Sequence, residues 1–458
     1  MENRVYPAAS DPNGKEVELE ELAIDIPLAL EPAQWPECCI YRIPKKLRRV
    51  NKEAYIPKLV SIGPFHHRQD ELKNMEIQKL RYLREFCYRT RKKQERLASI
   101  IEENEVKIRH CYSETFELSS KEFVNMVLLD GIFIIELFLR TREKENDYIS
   151  SQPWLRTGII HDLILLENQL PFFVLEELYM FAFDDFSSSN HLEEAAPLVK
   201  LSRNFFDYYD RQQESIIGEE VKHFTDLIRY LLCPPDLHPT QHLDNIYFAT
   251  KLDKAGLKFK PVEKRRLLDI KFPKNKCLKY CPCFDFSWLL ACLPCLKCFP
   301  WLKSMQRVLE VPPFEVDGNT EALLRNLIAM EQCHYPSKAY ICNYVLLLDY
   351  LIDTKKDVAL LVDKKVIVNK LGSNATVATL IDKLGQHIVE GKSCYYDLGR
   401  ELNEHYDYPL NHIVASLTST YFHNFWRGTA TVVGVIVLGF TFWGFLRPFV
   451  IKESSIYG

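Results

Sequence analysis

The sequence predicts a mainly α-helical, multi-helix globular body with a few short extended segments near the N-terminus, plus one C-terminal transmembrane helix. Three observations carry that reading. Apolar residues recur at helical spacing through most of the chain, apolar pieces punctuated by Pro and Gly gather after Ile40, and 19 uncharged residues run together near the end. The 458 residues are 47% hydrophobic, 12% aromatic and 26% charged with only 16 Gly, which excludes a collagen-like, low-complexity or wholly disordered chain. Lys and Arg number 58 against 62 Asp and Glu, so the net charge of -4 provides no global attraction for nucleic acid.

Residues 1–39 carry scattered prolines and the acids Glu16, Glu18, Glu20 and Glu21, and read as a disordered tail. They hold no apolar signal-peptide core, which places the body in the cytosol with reduced thiols. Asn374-Ala375-Thr376 then reads as a chance sequon. Ile40–Pro44 and Tyr55–Pro64 read as extended pieces and turns. Leu72, Met75, Leu80, Leu83 and Phe86 follow at near-helical spacing, with Lys79, Arg81, Arg84 and Arg89 assigned to the opposite face. Ser119 to Glu122 has capping-box spacing and opens Phe123–Leu139, apolar almost all round apart from Asp130 and Glu136. Ile159–Leu178 is similar, with Pro171 breaking or kinking it, and Thr320–Cys333, Ala339–Ile352 and Val377–Val389 complete the helices. No alternation of strands with helices predicts a parallel sheet. The body, 40–425, is expected to form two lobes divided near 185–200.

Between Arg427 and Arg447 the run Gly428–Leu446 would cover about 28 Å as a helix, close to the hydrocarbon thickness of a bilayer. Trp426 and Trp443 lie where aromatic belts form, and Arg427 and Arg447 can snorkel. A span over 427–447 with a short tail, 448–458, predicts a single-pass C-terminal anchor in an undecided membrane. The lipid bilayer is then a partner.

Several stretches taken together resemble a plant family catalogued as domain of unknown function 247. They are Ile40-Tyr41-Arg42-Ile43-Pro44, Tyr55 to His67 with Gly63, Pro64, His66 and His67, and Met75-Glu76 with Lys79 and Leu80. Asp162 to Phe173 follows, with Glu167, Asn168, Gln169 and Pro171, then Arg325 to Cys333 and Tyr421 to Trp426. The resemblance runs from Ile40 to the C-terminus. It implies a mainly helical plant protein, usually with one C-terminal membrane helix and no established enzymatic activity, whose motif residues have no assigned role. One departure stands out. About 30 residues separate Leu268–Phe272 from Val308–Pro312, which the family usually joins directly.

That insertion, 272–304, holds Cys277, Cys281, Cys283, Cys292, Cys295 and Cys298 among Phe, Trp and Leu. Three readings stand: a hydrophobic loop packed on the body, an S-acylated membrane contact, or a zinc site built on the overlapping C-x2-C spacings. No His lies in the window, and no metal or other cofactor is assigned. Tyr41–Lys58 and Lys251–Lys279 are locally basic and read first as solvated faces, then as contacts for anionic lipid, with no nucleic-acid motif.

Enzyme signatures are missing: no Gly-rich phosphate loop, no Gly-x-Ser-x-Gly elbow, no His-Glu-x-x-His. His161-Asp162 resembles half a relay, and Glu167-Asn168-Gln169 reads as satisfying backbone groups near Pro171. Cys333 and His334 diverge by about 100° on a helix and do not make a nucleophile pair. The sequence reading is a membrane-anchored, non-enzymatic scaffold or recognition protein whose protein partner is unknown. Its alternative is a membrane-associated enzyme using the His66/His67 region.

Overall fold

Apolar periodicity, side-chain caps and proline positions account for most of the helices. The structure, a computed structural model, describes residues 32, 34–144, 147–184, 197–212, 220–273, 306–413, 433–434 and 437–445. Its helices are α1 (Lys45–Val50), α2 (Lys73–Thr90), α3 (Gln94–His110), α4 (Ser120–Glu143), α5 (Pro153–Asp162), α6 (Phe172–Phe183) and α7 (Leu198–Phe205). They continue as α8 (Phe224–Leu232), α9 (Ala249–Lys254), α10 (Thr320–His334), α11 (Tyr340–Leu351), α12 (Lys355–Asp363), α13 (Asn374–Gly385) and α14 (Tyr396–Asp407). Short strands β1 (Lys258–Pro261), β2 (Val308–Val311), β3 (Phe314–Val316) and β4 (Ile367–Asn369) complete a mainly helical molecule.

Ser119 opens α4 with a full capping box, its side chain accepting from the Glu122 N–H while Glu122 accepts from the Ser119 N–H. From Met126 to Leu139 every residue of α4 but Leu129 is buried. An apolar-all-round helix needs such cover, and α2, α3, α6 and α7 supply it. A second group of helices gathers on α10, which packs against α8, α11, α13 and the 3-10 turn Lys52–Tyr55.

The buried face of α2 differs from the sequence expectation by one position. Leu80 is 57% exposed, and Lys79 is 1% exposed. The buried set Met75, Lys79, Tyr82, Leu83 and Phe86 follows helical spacing, and the lysine enters because its charge is met there. Its ammonium lies 2.6 Å from Asp130 Oδ1 on α4, 2.5 Å from Glu76 Oε1 and 2.5 Å from the Ser61 carbonyl. A fully desolvated cation is tolerated when paired and hydrogen-bonded on this scale.

Pro171 breaks the helix expected over Ile159–Leu178. α5 stops at Asp162, Leu163 to Leu170 is non-helical, and Pro171 stands as the N-cap of α6 with its φ of -59°. The named strands also fall elsewhere than expected. They lie in the C-terminal half, and both pairs, β1–β2 and β3–β4, are parallel. Elements of three or four residues leave no period-2 signal to read. Near the N-terminus Ile40 makes one parallel bridge to Tyr112, and Pro57 to Gly63 runs without a neighbouring strand.

The expected membrane anchor is corrected. Among the described residues no helix is long and apolar enough to cross a membrane. Within the apolar run the described helical residues are 433–434 and 437–445. Most of the expected N-terminal tail lies outside the described residues, although Cys38 and Cys39 are buried. The inserted segment leaves and returns at one place: Lys271 N–H donates to the Glu310 carbonyl (3.0 Å) and Glu310 N–H to that of Lys271 (2.8 Å).

Lys79→Ala leaves Asp130 buried without its cation and should cost about 3–5 kcal/mol in a guanidinium unfolding series. Leu80→Ala, on the solvent side, should stay within about 0.5 kcal/mol.

Candidate functional site

The residues singled out from Tyr55 to His67 form a buried, irregular segment, and burial of irregular backbone poses a problem. Each N–H and C=O must find a partner without a sheet to provide it. Val60 and Ile62 are fully buried, as is Ser61 apart from 3%. Side chains from the helices take the place of a neighbouring strand. The Asp162 carboxylate accepts from Lys58 N (3.0 Å), Leu59 N (2.6 Å) and Val60 N (2.9 Å). Asn168 accepts from Ile62 N (2.7 Å) and donates to the Val60 carbonyl (3.0 Å). Asp130 accepts from Gly63 N (2.8 Å), while Lys79 donates to the Ser61 carbonyl. Asn326 on α10 donates to the Ala54 carbonyl (2.8 Å) and accepts from Leu166 N (2.9 Å).

Gly63 sits where the segment crosses the Leu163–Leu170 loop. Its φ is +71°, and a Cβ there would lie 2.5 Å from the Gln169 carbonyl oxygen. Both the left-handed backbone and the close approach require glycine. That carbonyl also accepts from the Tyr112 hydroxyl at 3.0 Å. Pro64 then starts a 3-10 turn, Pro64–His66, that carries the histidine inward.

Glu167 is the centre of charge. Its carboxylate accepts from Ile43 N (2.7 Å) and from Arg48, with Arg42 Nη1 and His66 Nε2 each 3.5 Å away. Burial alone would raise its pKa, yet His66, Arg48 and the Ile43 N–H together hold it at about 2. Gln69 lies 3.0 Å from His66 Nδ1. His66 Nε2 and Glu167 Oε2 are buried without a hydrogen-bond partner among the described residues. His67 leaves this node: it is half-buried, and burial together with Arg68 lowers its pKa. Gln169 donates to the carbonyls of Leu163 (2.6 Å) and Leu165 (2.8 Å) and accepts from Phe224 N (2.9 Å).

A family model described as a plant protein of unknown function, domain of unknown function 247, matches residues 40–440. The chain belongs to this plant family. Similar proteins include the Arabidopsis thaliana UPF0481 protein At3g47200, 28% identical and covering 90% of this chain and 86% of that protein. The putative UPF0481 protein At3g02645 of the same plant is 22% identical, covering 87% of this chain and 88% of that protein. No solved structure matches.

Gly63, Pro64, His66, Glu167, Asn168 and Gln169, the motif residues of the family that the sequence reading singled out, therefore meet in one node. His67 stays apart, and Pro171 serves as a helix cap. Cys277, Cys281, Cys283, Cys292, Cys295 and Cys298 lie outside the described residues, as do Trp426, Arg427 and Arg447. Trp443 falls in the 437–445 stretch and is exposed. Among the described residues no group of His, Cys, Asp or Glu is arranged to hold a metal ion. Cys333 is no thiolate nucleophile, since burial pushes its thiol up to about 11. His334 Nδ1 lies 3.0 Å from the Tyr41 hydroxyl.

One further buried group, the Arg229–Glu331 pair, escaped the sequence reading. Arg229 pairs with Glu331 at 2.8 Å, sits over the Tyr335 ring and donates to the Lys338 carbonyl, while Glu331 accepts from Cys342 N (2.9 Å). Asp162, half of the His161-Asp162 pair, is a hydrogen-bonded backbone anchor through its three N–H contacts. Arg229 and Glu331 could both be sought as charged residues set inside otherwise apolar runs.

Gly63→Ala should destabilise the fold by about 1–3 kcal/mol, measured by thermal or denaturant unfolding. Glu167, its folded pKa depressed, contributes stability that is complete above its unfolded pKa and fades as pH falls through about 2. The stability gap between wild type and Glu167→Gln should therefore shrink by about 3 kcal/mol as pH falls from about 5 towards 2.

Proposed function

We propose that this protein is a non-enzymatic recognition or scaffold protein that acts through its surface. One observation carries the reading: the polar residues that look chemical in the sequence are buried and occupied with holding backbone. His66 and Glu167 are 4% and 1% exposed. Clefts of about 770 Å³ and 420 Å³ open elsewhere, and none of His66, His67, Asp162 or Glu167 lines them. A substrate has to reach a catalytic group within hydrogen-bond distance, and these clefts lead to none of the four.

The reading gives nucleic acid no part, because the basic stretches carry no recognition motif and part of their charge is met within the fold. Arg42 and Arg48 face Glu167, Lys260 and Arg265 pair with Glu310, and Arg266 donates to the Cys233 carbonyl.

An enzymatic reading draws on one fact, the approach of His66 Nε2 to Glu167 Oε2 at 3.5 Å, in the arrangement of an oriented base. Complementation of a plant lacking the protein by full-length His66→Gln/His67→Gln separates the two. The recognition reading expects full complementation as long as the variant stays folded, with a melting temperature lowered by the lost His66–Glu167 contact. Lost function in a variant that remains folded at growth temperature would overturn it in favour of catalysis.

A further inference from the structure

The largest of these clefts, about 770 Å³, has a chemical character of its own. One wall is the 3-10 turn Asp207–Tyr209 with Arg211 behind it, and the other is the turn after β1 with Glu263 and Lys264. Its floor is Pro313 and Glu315 of the β3 strand region, Ile367 to Asn369 of β4, and Lys365. Pro261, Pro313, Val362 and Val368 supply apolar surface, and Tyr208 stands over it 60% exposed.

The charges do not cancel. Glu315 is already engaged: Lys370, from outside the cleft, places its Nζ 2.5 Å from Oε2, and the Tyr208 hydroxyl within it donates to the same oxygen at 2.9 Å. These two contacts hold its carboxyl below the usual range, so it presents a spent charge. Arg211, Lys264 and Lys365 line the same space, and none of them makes an ion pair with a described residue. Glu263 is the remaining acid. The cleft therefore carries a surplus of cations in a molecule whose net charge is -4.

Lys264 and Lys365 each stand at a left-handed turn, φ 65° and 60°, on opposite sides of the apolar lining. Cations above a floor of prolines, valine and an aromatic ring match an extended segment carrying carboxylates between apolar residues.

We propose that the cleft between Tyr208, Lys264 and β4 binds an acidic, extended peptide segment of a partner protein. This rests on the surface-recognition reading above and names the surface and the chemistry of its occupant. The Arg211 guanidinium and the two lysines pair with carboxylates, and the apolar floor takes a proline or aliphatic side chain between them. Long-range attraction from the cation surplus speeds encounter and is screened by salt.

The probe is a fluorescein-labelled degenerate decapeptide pool alternating Asp/Glu with Pro/Leu/Val, titrated with the full chain and read by anisotropy. A matched pool has Asn/Gln at the acidic positions. The acidic pool should bind at least tenfold more tightly than the neutral one and weaken as salt rises. Arg211→Glu/Lys365→Glu should reduce that binding at least tenfold, whereas charge reversal of exposed Lys73 and Arg84 on α2 should leave it unchanged. Equal binding of both pools, no binding, or binding untouched by Arg211→Glu/Lys365→Glu would overturn the assignment. So would displacement of the pool by micromolar inorganic phosphate, which would make the site one for small anions. The cleft variants sit far from His66 and His67 in role, so the two readings fail separately. If the pool does not bind while His66→Gln/His67→Gln still complements, the cleft assignment falls and surface recognition stands; failed complementation brings down the recognition reading itself.

Discussion

The structure depends on side-chain carboxylates and amides that hydrogen-bond the buried backbone of the segment from Ile43 to Gly63. Asp162, Asn168, Asp130 and Glu167 accept from six of its N–H groups, at Ile43, Lys58, Leu59, Val60, Ile62 and Gly63. A buried N–H left without a partner costs about 1–3 kcal/mol, so a run of them could not stay inside unaided. A sheet would solve the problem with one repeated motif. This chain solves it with polar residues drawn from α4, α5 and the loop before α6, and so ties both helix groups to one irregular strap.

That solution sets the electrostatics of the interior. The acceptors are charged, and a buried charge must be met by other charges or by dipoles. Asp162 is met by three amide dipoles, Asp130 by Lys79, and Glu167 by Arg48, Arg42 and His66. Burial, opposed by Lys79, pushes the Asp130 carboxyl up to about 6, whereas Glu167 stays near 2 because more groups favour its anion. Perturbed acids beside a histidine resemble catalytic groups in a sequence and in a titration alike. Here the perturbation accompanies a structural task, the holding of buried backbone.

Part of the surface charge is met within the fold: Arg42 and Arg48 at Glu167, Lys260 and Arg265 at Glu310. In the cleft under Tyr208 the acid Glu315 is engaged by Lys370, and Arg211, Lys264 and Lys365 make no ion pair with a described residue. Neither condition can be read along the chain, since Tyr208, Lys264, Glu315 and Lys365 come from four separate stretches.

The sequence by itself determined the helical class, the capping box at Ser119, the burial of α4 and the family to which the chain belongs. These follow from local rules: side-chain period, cap chemistry and motifs in series. It also marked Gly63, Glu167, Asn168 and Gln169 as special without saying why. Only the tertiary structure decided that Lys79 goes in and Leu80 stays out, because the preference rests on Asp130, Glu76 and Ser61, and two of these are distant in sequence. It decided the parallel pairing of β1 with β2 and β3 with β4, which are too short to show a period. Hydropathy measures composition along the chain, whereas the partners of a buried charge are set by what the fold brings beside it.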